Sequence, residues 1–443
     1  MKNKVDTRSF LSKSLIYGFI VLFGGLLFPF RTSISIFKFQ LILLSLTIVY
    51  LYSIRLFFLP ISQKQNQLQS VKLAFHPERM LLTTILVLIL AGIGMLLIEI
   101  RMFGQFGYEL SIPGLAVVFV MSFVSTVCLY RYKKSKFLPW ALVLSLAFLY
   151  LYSITCFPLH PERSDMLLLI KAASERFLQG SNPYTEYMIF HPVNLTYLPG
   201  MWLSYLPAAI LGIDIRFTNL ILLLASAAIF IRSSRTQTKL QQSVFAAVFF
   251  LNPWLIFRHD IYLPVFIFQM ILIYQLYLSR KIVPSMIVFA WTLASYQFSW
   301  ILYPLYLNLV RNQYGKRTAL KAMVIGAVGF MLFIMPFVLA SPEGVYNGVF
   351  GTWNSAFQVE TFNLSYWIIS ITTIKYIKLV QVTLLLIFYL LTIKKIESPG
   401  CFFKYATWIS ILFILTGQLI WHYFLIMPAI HMLYYARETP QEL

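Results

Sequence analysis

Long apolar runs dominate this chain and leave it one kind of solvent to fold in. A membrane-crossing helix needs about 20 predominantly apolar residues. Runs of that kind cover 14–30, 39–60, 80–100, 112–130, 137–157, 216–232, 261–279, 320–340 and 402–420. Shorter or interrupted runs cover 243–256, 284–296, 298–310, 362–393 and 422–435. With 284–296 and 298–310 read as a broken pair, this predicts about 12–14 spans. Composition agrees: 59% of the 443 residues are hydrophobic and 11% are charged, against about 25% charged in soluble domains. A soluble fold has too little interior to hide this much apolar side chain, whereas a bilayer solvates it. The expected fold class is all-α, a polytopic transmembrane helical bundle.

The formal charge of +20 would suggest nucleic acid in a soluble protein. Here no basic aromatic groove can be drawn, and the cations sit in short loops between apolar runs. With the N-terminus inside, the inner segments hold Lys2, Lys4, Arg8, Lys13, Lys64, Lys72 and Arg79. They also hold the run Arg131 to Lys136, Arg232, Arg235, Lys239, Arg311, Lys316, Arg317, Lys321, Lys394 and Lys395. That bias puts both termini in the cytoplasm. Acids lean the other way: Glu99, Glu109, Glu162, Asp165, Glu175, Glu186, Asp214, Asp260, Glu343 and Glu360 fall outside. His160, His191, His259 and His422 join them. Groups able to do acid–base work therefore gather on the outer face. Cys128, Cys156 and Cys401 show neither metal spacing nor a disulfide framework. Segment 14–30 has no cleavage site after it and reads as a retained helix.

The longest non-spanning stretch is 158–215, on the outer side. Residues 165–179 have helical periodicity, with Met166, Leu169, Ile170, Ala173 and Phe177 on one face and Lys171, Ser174, Glu175 and Gln179 on the other. About 15 residues is too short to span, so this helix is expected to lie in the membrane interface. Gly180 ends it, and Asn182-Pro183 makes a turn. A second apolar piece, 198–211, is broken by Pro199 and Pro207.

Asp165 opens that interfacial helix. As a cap it would satisfy free backbone N–H groups and the helix dipole. As a general base or metal ligand it would sit at the membrane surface, and the two roles are compatible. Arg258-His259-Asp260 reads either as a polar cap between two helices or as site residues. Trp421-His422-Tyr423 reads either as an aromatic belt or as site residues. His191 reads as a solvated loop residue or a substrate contact.

The order Asp165, the small-residue centre Ala172-Ala173, Gly180, Asn182-Pro183-Tyr184 and Thr196-Tyr197-Leu198-Pro199 resembles the GT-C superfamily of integral membrane glycosyltransferases. It looks most like the polyprenyl-phosphate-dependent mannosyltransferases. Arg216-Phe217-Thr218-Asn219, Asn252-Pro253-Trp254 with Arg258-His259-Asp260, and Gln418, Trp421, His422, Tyr423 and Pro428 extend the likeness over 137–435. The resemblance implies a GT-C-like outer loop with interfacial helices, four extra N-terminal helices in 1–136, and a cytoplasmic tail at 436–443. It also implies hexose transfer from a polyprenyl-phosphate carrier to a glycan or lipid acceptor. Asp165 would be the base. Glu162, Tyr184, His191, Tyr197, Arg216, Arg258, His259, Asp260, His422 and Tyr423 would bind substrate. A divalent ion, Mg or Mn, would take Asp165 and Asp260 as oxygen ligands. Two departures stand out: Ser164 rather than a second acid precedes Asp165, and Tyr296-Gln297-Phe298-Ser299 stands where a Lys is expected. A transporter or lipid-linked-sugar flippase, or an inactive scaffold of the same fold, are the other expectations. The lack of a cleaved signal and of a retention tail leans toward a bacterial plasma membrane.

Overall fold

The computed structural model describes residues 138–161, 164–189, 191–233, 259–351, 374–393 and 395–416, with Ile256 and isolated positions between 113 and 124. The expected spans 14–30, 39–60, 80–100, 243–256 and 422–435, most of 112–130, and the tail 436–443 lie outside these residues.

The described chain is helical apart from one small hairpin. Helix α1 spans Leu138–Cys156, and α2 spans Met166–Leu178. Strands β1 (Glu186–Met188) and β2 (Pro192–Asn194) follow and pair antiparallel, Tyr187 facing Val193. Two short helices, α3 (Pro199–Leu203) and α4 (Leu206–Ile210), lead into α5 (Arg216–Ser233). Then come α6 (Leu263–Leu278), α7 (Ile282–Leu293), α8 (Gln297–Tyr314), α9 (Lys316–Ala340) and α10 (Pro342–Val345). A π-helical turn at Tyr346–Gly351, α11 (Ile374–Thr392) and α12 (Pro399–Thr416) complete it. Pro199, Pro207 and Pro264 each sit in the first turn of a helix, where the missing N–H would have had no partner.

The pieces 284–296 and 298–310 form an antiparallel hairpin, α7 and α8. Ser285 Oγ lies 2.9 Å from Tyr306 Oη, the Phe289 and Tyr303 rings are 5.3 Å apart, and Trp300 Nε1 donates to Leu293 O at 2.9 Å. Ala294–Tyr296 make the reversal. Helix α6 packs antiparallel to α7, with Ser285 Oγ donating to Ile273 O at 3.1 Å and Gln269 Nε2 to Ser295 Oγ at 3.0 Å. These contacts give the bundle two distinct ends. One end collects 158–215, His259–Tyr262, Ala294–Tyr296 and Ser341–Gly351. The other collects Ser279–Lys281, Gly315 and Ile393–Ser398, tied by Asn312 Nδ2 to Ile396 O and Gln313 Nε2 to Glu397 O.

The charges divide with the ends. Among the described residues, the first end carries Asp165, Glu175, Glu186, Asp214, Asp260 and Glu343 against Lys171, Arg176 and Arg216, with Lys375 and Lys378 in the first turns of α11, which starts toward that end. The other carries Arg232, Arg280, Lys281, Arg311, Lys316, Arg317, Lys321 and Lys395 against Glu397. Helix α9 is long and apolar enough to cross a membrane. Its outer face is apolar and open: Leu320, Val324, Met331, Leu332 and Leu339 are all exposed.

The helix predicted at 165–179 is present as α2, but its apolar face meets protein rather than lipid. Leu167, Leu169, Ile170 and Ala173 are buried, and the Phe177 ring lies 5.1 Å from Trp202 and 6.0 Å from Phe337. Each buried leucine or isoleucine there contributes about 1.5–3 kcal/mol, so α2 is a structural member of the cap. Ser174, expected on the polar face, is fully buried; its hydroxyl donates to Ile170 O at 2.9 Å. That internal bond removes the cost of burying the hydroxyl.

Three helices end in the same two-bond corner. Ser181 N donates to Arg176 O and Gly180 N to Phe177 O; Ile213 N to Ala208 O and Gly212 N to Ala209 O; Lys281 N to Leu276 O and Arg280 N to Tyr277 O. The corner needs a left-handed residue, supplied by Gly180 (φ 75), Gly212 (φ 63) and Arg280 (φ 57). Arginine pays steric strain for that φ, about 1 kcal/mol relative to glycine. Arg280→Gly is therefore expected to raise the thermal midpoint measured in detergent, whereas Gly180→Ala and Gly212→Ala lower it.

Candidate functional site

The site is assembled where the 158–215 cap sits on the acidic end of the bundle. Its foundation is a close backbone contact: Gly200 N donates to Ala294 O at 2.7 Å, in the α7–α8 reversal. Trp291 Nε1 donates to Gly200 O at 3.1 Å, and Gln297 Nε2 to Thr196 O at 2.9 Å. A Cβ at Gly200 would lie 2.7 Å from Ala294 O. Neither backbone can move without breaking these bonds, so Gly200→Ala is expected to cost about 1–3 kcal/mol, read as a lower thermal midpoint. On the other flank, Gly344 and Gly348 let the 341–351 segment approach Tyr184 and Leu195; a Cβ there would come within 2.3 Å of Tyr184 O and 2.1 Å of Leu195 O. The cap is thus wedged between two parts of the bundle.

Asp165 stands at the start of α2, just past the end of α1. Its capping role is not what the geometry delivers: the Asp165 side chain makes no cap hydrogen bond, and Met166 N donates instead to Ser164 Oγ at 3.3 Å. Burial raises the Asp165 pKa above the ordinary carboxylate value, opposed in part by its own backbone N–H and by His191. His191 is exposed, in the short connection between β1 and β2, and lies within electrostatic reach of Asp165. Tyr197 is in reach of Asp165 as well, and its ring meets Tyr262 edge-on at 4.9 Å. Asp165, His191 and Tyr197 thus come together as the open part of the site.

Beneath them lies a buried polar layer that links α1, α4, α5 and the 259–262 turn. Tyr205 Oη donates to Asn219 Oδ1 at 2.5 Å. Asn219 Nδ2 donates to His259 O at 3.1 Å and Ile261 O at 2.7 Å. Tyr296 Oη donates to Tyr262 O at 2.8 Å. Burial holds the Tyr197 and Tyr205 phenols well above their ordinary pKa, so both stay protonated and act as hydrogen-bond donors, not bases. Of Asp165, His191 and Tyr197, the first two are the groups able to accept a proton.

Three expected substrate-binding residues have structural partners instead. Tyr184 is 3% exposed, donates its hydroxyl to Tyr197 O at 2.9 Å, and sets its ring tilted against Phe337 at 5.7 Å; it braces the cap. Arg216 is 5% exposed; it grips Asp214 through Nε at 3.0 Å and Nη2 at 2.6 Å, and donates Nη1 to Phe157 O at 2.5 Å. It closes the base of the cap, joining its last residues to the end of α1. His259 is fully buried with Nε2 3.1 Å from Ser153 O. A backbone carbonyl only accepts, so Nε2 carries the proton. Asp260 is 1% exposed, in the electrostatic neighbourhood of Tyr150 together with Arg216 and Asp214. Glu162, Arg258, His422 and Tyr423 lie outside the described residues. Among the described residues no group of three or more His, Cys, Asp or Glu side chains gathers to hold a metal ion.

Tyr205, Asn219, Tyr262, Tyr296 and Gln297 belong to the site although the sequence reading gave them no role. The available signal was their position: each lies beside a predicted outer-loop boundary, and Asn219 and Gln297 fall inside the stretches compared with the GT-C pattern. Comparison with protein-family models, with curated proteins and with solved structures finds no match.

Proposed function

We propose that this chain is a multi-pass membrane glycosyltransferase of GT-C type, acting on the non-cytoplasmic side of a plasma membrane. The observation that carries the reading is the state of Asp165. It is a desolvated carboxyl, relieved of capping by Ser164, facing His191 and Tyr197 at the acidic end of the bundle. The opposite end is basic, and the positive-inside rule makes it the cytoplasmic one. On this reading Asp165 lies outside, as the order of apolar runs also suggests. The open apolar face of α9 supports a lipid surrounding.

The donor is a hexose on a polyprenyl phosphate and the acceptor a hydroxyl of a glycan or lipid. Asp165 takes the acceptor hydroxyl proton as the acceptor oxygen bonds the anomeric carbon. The bond from that carbon to the phosphate oxygen breaks, and polyprenyl phosphate leaves with the electron pair. A carboxyl with a raised pKa is better matched to that proton than an ordinary one. The tyrosine hydroxyls and His191 are the available donors for the leaving phosphate. No step is routed through a metal.

One feature supports a second reading, a lipid-linked-sugar flippase: α7 has only 12 residues, too few to cross a bilayer, as in the broken helices of transporters. The discriminating experiment gives membranes containing the chain radiolabelled polyprenyl-phosphate hexoses. New glycan or glycolipid label supports the transferase. Label that changes leaflet without changing its chemical form supports the flippase.

A further inference from the structure

We infer that the corner ending α4 is a membrane anchor: Ile210, Leu211 and Ile213 insert into the outer leaflet and seat the 158–215 cap on the lipid surface. This rests on the membrane-spanning reading of the bundle, not on the enzymatic one.

The corner is rigid and its apolar surface is not needed to build it. Gly212 N donates to Ala209 O and Ile213 N to Ala208 O, with Gly212 at φ 63. This geometry asks only for the glycine. Yet Ile210 is 62% exposed, Leu211 69% and Ile213 44%. The same cap contains an internal comparison. The corner after α2 has the same two bonds and a glycine at φ 75; it also exposes an apolar residue at the position of Ile210, Leu178 (47%), but shows Gln179 and Ser181 where this one shows Leu211 and Ile213. Two corners of one design at one end of the molecule thus face different surroundings.

The neighbouring helix identifies lipid as the occupant. Directly after the corner, α5 exposes Ile221 (60%) on a stripe whose other members, Phe217, Leu224 and Ala228, are partly buried, and ends at exposed Arg232. The helix has 18 residues, roughly 27 Å at 1.5 Å per residue, near the roughly 30 Å thickness of the hydrocarbon layer. A bilayer that places Arg232 at its inner boundary has its outer boundary at the corner. The charges between corner and stripe are Asp214 and Arg216, which neutralise each other at 2.6 Å and do not resist entry into the headgroup region.

The test uses the full-length chain with Cys128, Cys156 and Cys401 replaced by serine. It is reconstituted in vesicles of three parts phosphatidylcholine to one part phosphatidylglycerol, as about a quarter anionic lipid suits a basic chain. A nitroxide is attached singly at Leu211→Cys, Gln179→Cys or Leu332→Cys, and its relaxation is compared with oxygen, which concentrates in lipid, and with a water-soluble nickel chelate. The expected result is oxygen dominance at 211 and 332 and nickel dominance at 179. Nickel dominance at 211 with oxygen dominance at 332 overturns the anchor and leaves the membrane reading intact. Protection from both reagents at 211 also overturns it, because protein then covers the corner. Nickel dominance at 332 overturns the membrane-spanning reading and the anchor with it.

Discussion

Arg216→Ala is expected to lower the stability of the chain by about 3–5 kcal/mol, the range for removing one partner of a buried ion pair. Two protein groups lose a partner at once. The Asp214 carboxylate loses its grip by Nε and Nη2, and the Phe157 carbonyl loses Nη1. These bonds fasten the two ends of the cap, so the loss also frees α2 and the hairpin to move. Arg216→Lys is not a rescue, because an ammonium cannot reproduce the planar fork. Asp214→Asn is destabilising as well, because it leaves the Arg216 guanidinium, whose side chain is 6% exposed, without its counter-charge. The same pair sets a pH dependence. Burial alone would raise the Asp214 pKa, but the Arg216 hydrogen bonds override it and hold the carboxyl below its ordinary value. A folded-state pKa below the unfolded one gives stability that is complete above about pH 4 and is lost as pH falls through the folded value. Thermal unfolding in detergent between pH 7 and pH 3 is expected to show that decline in the wild type and to lose most of it in Arg216→Ala.

Asp165→Asn is expected to reduce transfer by about 10²–10⁴-fold, the contribution of a positioned general base, while the protein folds as before. The two effects separate because Asp165 does no structural capping. The sign of the stability change is informative. Burial raises the Asp165 pKa, so the folded chain holds the proton more tightly than the unfolded one. Ionising Asp165 therefore costs stability as pH rises through the interval between the two values. The asparagine removes that cost, and at neutral pH the variant should melt at the same temperature or slightly higher. In the wild type, activity should rise with pH through a midpoint above the ordinary aspartate range, as the base becomes ionised. A loss of activity accompanied by a lower melting temperature would mean a structural role for Asp165.

Much of the helical framework was legible because each signal is local. Apolar runs and flanking glycines located α1, α2, α5 and α6 to within a few residues, and the prolines at 199 and 207 marked α3 and α4. The reversal at Ala294–Tyr296 was legible as a break between 284–296 and 298–310. What periodicity could not give was the partner of each face. The apolar side of α2 reads alike whether it meets lipid or Trp202 and Phe337, so periodicity did not show that it packs on protein. The burial of Ser174 was hidden for the same reason: its hydroxyl bonds back within the helix, and nothing in the periodicity signals that. The hairpin at 186–194 has three-residue strands, too short for an alternating pattern to stand out. In the site, Asp165 and Tyr197 were found from their order after a predicted helix. Arg216 grips Asp214 and the end of α1, contacts the sequence could not show, since a guanidinium that grips a neighbouring aspartate and one that grips a phosphate look the same there. Tyr205, Tyr262 and Tyr296 converge only through tertiary packing.

In the proposed function, Asp165 is the base for sugar transfer at the outer end of the bundle. The most direct measurement is the initial rate of transfer from radiolabelled polyprenyl-phosphate mannose, or the hexose analogue the chain accepts. It is made in membranes holding equal amounts of wild type, Asp165→Asn and Asp165→Glu. The account predicts robust transfer by the wild type, loss in the asparagine variant and partial recovery in the glutamate variant. Equal rates in wild type and Asp165→Asn would contradict it.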